Sequence, residues 1–132
     1  MGHVGFTPQS EHGLGGHMIQ GRGEAADAVL ADAKAVEAAG AFAVVLEMIP
    51  AELAARVTAE LSIPTISVGA GAETDGQLLV WTDFAGMNTG RVPKFVKQYA
   101  NLGAILSDAA QAFKADVESG AYPGPEHSYE DN

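Results

Sequence analysis

The sequence predicts an α/β protein built on a parallel sheet. Three observations predict it. Two short apolar runs, "FAVVLEM" at 42–48 and "IPTISVG" at 63–69, carry no polar alternation, as strands buried on both faces do. Segments of helical periodicity stand before, between and after them. Gly and Pro mark the joints, so strands and helices alternate, the order a parallel sheet requires.

The elements follow in order. Residues 1–23, "MGHVGFTPQSEHGLGGHMIQGRG", read as a strand end and a long loop, because Pro8, Gly13, Gly15, Gly16, Gly21 and Gly23 break any regular pattern. A loop of that length in a small domain points to function or to disorder. Its Thr, Gln, His, Met and Ile are not linker composition. Residues 24–39 read as a helix with Ala26, Val29, Leu30, Ala33 and Val36 on one stripe, Glu24 and Asp27 in the first turn, and Gly40 as the stop. After the strand at 42–48, Pro50 opens a second helix. Leu53, Val57 and Leu61 line one side of it, and Glu52 is placed to pair with Arg56 four residues on. The strand at 63–69 runs into the loop "GAGAETDG" at 69–76, and "QLLVW" at 77–81 reads as a third strand. Two helical segments are expected at 94–100 and 103–119, with Leu102, Leu106, Ala110, Phe113 and Val117 at helical spacing. Gly120 ends the second, and residues 120–132 form a surface tail. The whole chain, 1–132, is expected to be one structural piece without internal repeats beyond the βα unit. A doubly wound open sheet and an eight-stranded barrel both fit this order, and periodicity does not separate them.

Seven basic residues against seventeen acidic ones give a net charge of −10. That balance speaks against nucleic acid, which needs clustered Lys and Arg to neutralise phosphate, and against an anionic membrane surface. With no cysteine, disulfides and thiolate metal sites are excluded. No apolar run approaches the ~20 residues of a membrane span, and no basic region followed by an apolar core marks a signal peptide. A soluble cytoplasmic protein is the expectation.

In either topology, chemistry gathers at the carboxyl ends of the strands. Three such ends are offered: "MGHVGF" with His3, "VVLEMIP" with Glu47, and "ISVGAGAETDG" with Gly69, Gly71 and Asp75. Glu47 follows the apolar run directly. A carboxylate at the lip of an apolar sheet without a cationic partner has a raised pKa, which suits a general base near neutral pH. The competing reading is a Glu paired with Arg or capping a helix. His3 is either a hydrogen-bonded structural residue or a substrate contact. His12 and His17 have no metal-ligand spacing, and His127 lies in the tail. "GAGAETDG" lacks the Lys and Ser/Thr of a Walker loop and reads as a tight turn more readily than as a phosphate cradle. Arg22, between glycines, either binds an anion or pairs with an acidic side chain.

Taken together, "MGHVGFTPQS", "GGHMIQGRG", "AGAFAVVLEMIPAELA", "IPTISVGAGAETDGQLLVWTDFAGM", "PKFVKQYANLGAIL" and "FKADVESGAYPGPEHSY" resemble, in that order, the C-terminal half of the ketopantoate hydroxymethyltransferase (3-methyl-2-oxobutanoate hydroxymethyltransferase) family. The resemblance runs the length of the chain. It implies a TIM (β/α)8 barrel, of which this chain is roughly the last four βα units, with Met1 matching a methionine internal to the family's motif. It also implies transfer of a hydroxymethyl group from 5,10-methylenetetrahydrofolate to 3-methyl-2-oxobutanoate in a Mg²⁺-dependent, cytoplasmic homo-oligomer, commonly a decamer. By resemblance, Glu47 matches the family's proton acceptor and His3 a histidine lining the substrate pocket. The family's metal ligands fall in the missing half, so no metal-ligating residue is expected here, and the isolated piece is expected to be inactive. The alternative is a non-catalytic half-barrel that binds or assembles.

Overall fold

Four parallel strands, β1 (Gly2–Gly5), β2 (Val44–Glu47), β3 (Thr65–Val68) and β4 (Gly76–Gln77), lie side by side in chain order in a computed structural model that describes residues 1–130. Helix α1 (Ala26–Ala38) joins β1 to β2, and α2 (Ala51–Glu60) joins β2 to β3. The sequential order leaves no point at which the winding reverses, unlike a doubly wound sheet. Two compact units divide the chain, Met1–Leu79 and a second beginning at Val80.

In the first unit, both helices pack on the same face of the sheet. Val29, Leu30 and Ala33 of α1 and Leu53, Ala54 and Val57 of α2 form one core with Val4, Val44 and Leu46. Strand register explains the set: Val4 pairs with Leu46, and Gly2 with Val44, so these alternate residues share a face. Each fully buried aliphatic side chain here contributes roughly 1.5–3 kcal/mol, which outweighs the low helix propensity of the β-branched residues in α1 and α2. The helix expected at 24–39 begins as a single turn at Gly23–Ala25 before α1, and the strands are shorter than their apolar runs. Arg56 does not pair with Glu52. It reaches across to Asp27 at 2.8 Å and along α2 to Glu60 at 3.1 Å, while Lys34 meets Glu60 at 2.5 Å. These exposed pairs tie α1 to α2 and are worth little individually.

The strand expected at 77–81 contracts to the two residues of β4. Leu78 still donates to Ser67 O at 2.9 Å, but Val80 already precedes the helical turn α3 (Trp81–Phe84). Leu78, Val80 and Trp81 are exposed.

In the second unit, the helix expected at 94–100 is absent. Val96 N–H closes one turn onto Pro93 O, and then the donors of Tyr99, Leu102 and Gly103 go to the carbonyls of Phe84, Ala85 and Gly86. Those long-range bonds take the donors that an i to i−4 ladder would need. Helix α4 (Leu102–Ser119) forms as its spacing predicts, with the Asn101 side chain accepting from Ala104 N–H at 3.4 Å. Its apolar stripe is not buried: Ile105, Leu106, Phe113 and Val117 are 60%, 52%, 56% and 49% exposed. Phe113 contacts Tyr122 edge-on, and Tyr122 stacks with His127. The last two residues of the expected tail lie outside the described residues. Among the described residues, no helix is long and apolar enough to cross a membrane.

Candidate functional site

The site is built at the carboxyl end of β2. Strand pairing there stops because Met48 adopts a positive φ of 49°, a conformation uncommon for a side chain with a Cβ and a recurrent mark of functional strand ends. Met48 N–H still donates to Val68 O at 2.9 Å, so the turn is pinned to β3. Glu47, the last residue of β2, faces away from the helix-covered core, on the side opposite Leu46. His3 pairs in register with Val45 and therefore shares that face on the adjacent strand. Its Nε2 approaches Glu47 Oε2 to 3.0 Å, with side chains 30% and 15% exposed.

The two groups meet without being saturated. His3 Nε2 is buried and makes no aligned hydrogen bond, although it lies 3.0 Å from Glu47 Oε2. Burial pushes the Glu47 carboxyl above its ordinary value, and the nearby imidazoles of His3 and then His17 pull it partly back. Loss of hydration is the dominant cause, as for a carboxyl held against apolar surroundings.

The long loop is tied down on this same strand end. At its front, Phe6 N–H donates to Glu47 O at 2.9 Å; at its rear, Gln20 N–H donates to Met48 O at 3.0 Å. Two glycines make the anchors possible. Gly5 has φ of 88°, and a Cβ there would strike the Glu47 carbonyl; Gly21 has φ of 74°, and a Cβ would lie 2.5 Å from Leu53 Cδ2. Within the loop, His17 Nδ1 lies 2.8 Å from Glu11 Oε1, and its ring lies 4.8 Å from that of Phe6, which is buried.

The other sequence candidates fall elsewhere. Asp75, expected at the carboxyl end of the third strand, stands at the opposite end. The loop after β3 carries it back, and its Oδ2 accepts from Thr65 N–H at 2.8 Å and Thr65 Oγ1 at 3.0 Å. Those bonds hold its carboxyl below the usual range. Gly69 and Gly71 belong to a turn closed by Ala70 N–H on Ser67 Oγ at 3.0 Å and by Gln77 Nε2 on the Gly71 carbonyl at 3.0 Å. His12 and Arg22 are exposed, and His127 accepts from Gly124 N–H at 3.2 Å in the second unit. Sequence reasoning passed over two features. The Met48 turn has no sequence signal, since Gly or Asn would be expected there. His17 has no metal-ligand spacing to mark it in the sequence, yet its loop returns to the same strand end as it leaves.

Among the described residues, no group of three or more His, Asp or Glu is placed to hold a metal ion. Glu47 and His3 alone do not fit Mg²⁺, which asks for oxygen donors in an octahedral set.

A family model described as ketopantoate hydroxymethyltransferase matches residues 1–125. The chain belongs to this family. It is 67% identical over 129 residues to the 3-methyl-2-oxobutanoate hydroxymethyltransferase of Leifsonia xyli subsp. xyli, covering 98% of this chain and 47% of that protein. It is 64% identical over 130 residues to the enzyme of the same name from Saccharopolyspora erythraea, covering 98% of this chain and 44% of the relative. The like-named protein of Corynebacterium glutamicum is 59% identical over 129 residues, covering 98% and 48%. The chain thus spans about half the length of the curated relatives it matches. Within the family match lie Glu47, His3 and the whole anchored loop.

Proposed function

We propose that this chain is the C-terminal half of a (β/α)8 barrel that converts 3-methyl-2-oxobutanoate to ketopantoate, with Glu47 as the base. One observation carries the reading. A partly buried carboxylate with raised proton affinity stands at the carboxyl end of a parallel strand, 3.0 Å from a histidine whose nitrogen is otherwise unpartnered. The barrel topology is supported by the sequential parallel strands and by both helices packing on one face.

In this reading Glu47 accepts the proton from C3 of the ketoacid. The C3–H bond breaks, its electron pair passes into the enolate, and the proton resides on a Glu47 oxygen. A raised pKa strengthens the base. His3 Nε2 stands 3.0 Å from the carboxylate and lines the pocket that the ketoacid enters. Water cleaves the two C–N bonds of 5,10-methylenetetrahydrofolate, the nitrogens taking up the protons as tetrahydrofolate leaves and the methylene carbon passing on at the oxidation level of formaldehyde. The enolate carbon bonds to that carbon, the C=O electron pair goes to its oxygen, and a proton completes the new hydroxyl. In this reading the Mg²⁺ ligands come from the other half of the barrel. The complete enzyme in this reading is a cytoplasmic homo-oligomer.

The test supplies the complementary half, fused or co-expressed, and follows exchange of the C3 proton of 3-methyl-2-oxobutanoate for deuterium. Exchange requires the base and no folate. Glu47→Gln is expected to slow it by about two to four orders of magnitude, the span of a general base. Exchange at the parent rate would remove Glu47 from the role.

A further inference from the structure

The loop between the two anchors brings a second histidine to the same strand end. His17 is seated from two sides: Glu11 Oε1 lies 2.8 Å from its Nδ1, and its ring lies 4.8 Å from the ring of Phe6. Phe6 is in turn bonded through its N–H to the Glu47 carbonyl at 2.9 Å and is only 1% exposed. The seat is therefore rigid where it meets Glu47, and the rear of the loop is bonded to the very next residue, Met48. A loop merely passing over the surface has no need of both attachments.

We propose that His17 is a positioning residue for Glu47: seated by Glu11 on the Phe6 ring, it brings a second imidazole charge to the carboxyl end of β2. The groups whose charge bears on Glu47 are His3 from β1 and His17 from the loop, and Glu11 faces His17. His3 touches the carboxylate directly. His17, with its side chain 65% exposed, acts through space and through water, so its effect is smaller than that of His3 and is screened by salt. A positive charge at this position favours the ionised carboxylate of Glu47. The Nδ1 side of the ring is occupied by Glu11, which leaves Nε2 to solvent or to an anionic oxygen of a bound acid.

The functional meaning of this arrangement rests on Glu47 being the base, whereas the charge effect itself is read without turnover, so either can fail alone. The 132-residue chain, carrying ¹³C-labelled glutamate carboxyls, is titrated by NMR as parent, His17→Gln and His17→Lys. His17 is exposed, so neither change removes core packing; an unchanged amide spectrum verifies the fold. His17→Gln is expected to move the Glu47 midpoint upward, and His17→Lys, which restores a positive charge, to bring it back to or below the parent value. Raising the salt to about 1 M, where screening acts within ~3 Å, should shrink the difference between parent and His17→Gln. A Glu47 midpoint unmoved in both variants, or raised equally by Gln and Lys, would overturn the proposal.

Discussion

Glu47 and Asp75 stand at opposite ends of one parallel sheet, and their surroundings push their acidities in opposite directions. Asp75, at the amino end, receives the N–H and hydroxyl of Thr65 and is held below the usual carboxylate range. Thr65 is itself fully buried and shares its hydroxyl with Thr58 at 2.8 Å. Glu47, at the carboxyl end, is partly dehydrated and pushed upward, and the 3.0 Å approach of His3 offsets only part of that. The first carboxylate is satisfied and the second is not. Hydrogen bonds to the charged form stabilise a fold; dehydration of a charged group stores a tendency to take up a proton. The carboxylate at the amino end of this sheet is stabilised by its neighbours and the one at the carboxyl end is not, which matches the division expected of parallel α/β sheets.

The comparison can be broken in four ways, in falling order of effect. Glu47→Gln in the completed barrel is the largest, about two to four orders of magnitude in proton exchange, with the fold intact by circular dichroism. The pH dependence sharpens it. Because Glu47 titrates above its ordinary value, the acid limb of the exchange rate should lie above that of a free carboxylate, and exchange should rise with pH through it. The stability sign follows from linkage. With the folded midpoint of Glu47 above the unfolded one, stability falls as pH rises from the unfolded midpoint through the folded one, so Glu47→Gln should unfold at an equal or higher temperature than the parent above that window, and the difference should vanish below it.

Leu46→Ala comes next. Leu46 adjoins Glu47 but faces the core and is fully buried, so truncation should cost about 2–5 kcal/mol in denaturant unfolding. A loss below 1 kcal/mol would mean that the helix-covered face is not the main core.

Asp75→Asn should be milder and opposite in pH dependence to Glu47→Gln. The Thr65 bonds stabilise the fold while Asp75 is ionised, so the variant should melt lower than the parent at neutral pH. The gap should close as pH falls through the depressed midpoint of Asp75. It should leave proton exchange in the completed barrel nearly unchanged. Glu52→Gln should be the smallest, within about 0.5 kcal/mol, because Glu52 is exposed and Arg56 turns to Asp27 and Glu60 instead.

Much of this contrast is legible in the chain. The unbroken apolar run before Glu47 and the glycine-rich loop with His3 at its mouth both point to a strand end carrying chemistry. Asp75 was misplaced because a loop's composition does not state which way it travels. The "GAGAETDG" segment returns its last residues to the start of β3, and only the Thr65 contacts reveal it. The apolar stripe of α4 shows the same limit from the other side. Its helical spacing is as regular as that of α2, yet α2 buries Leu53, Ala54 and Val57 and α4 buries nothing among the described residues.

By itself the sequence determined the elements whose cause is local. Helices α1, α2 and α4 follow from apolar spacing and from their Gly and Pro boundaries, and β2 and β3 follow from continuous apolar runs bounded by turns. Family membership follows from the motifs in their order. Tertiary structure alone decided what depends on neighbours far along the chain. It set the sequential strand order and cut β4 to two residues. It sent the backbone donors at 99–103 to the end of α3 rather than into a helix, and it brought His3 and His17 to bear on Glu47. The reason is physical: periodicity reports which side of a segment is apolar, while the partner of a backbone donor or a carboxylate is fixed by chain closure over tens of residues, which no local window contains.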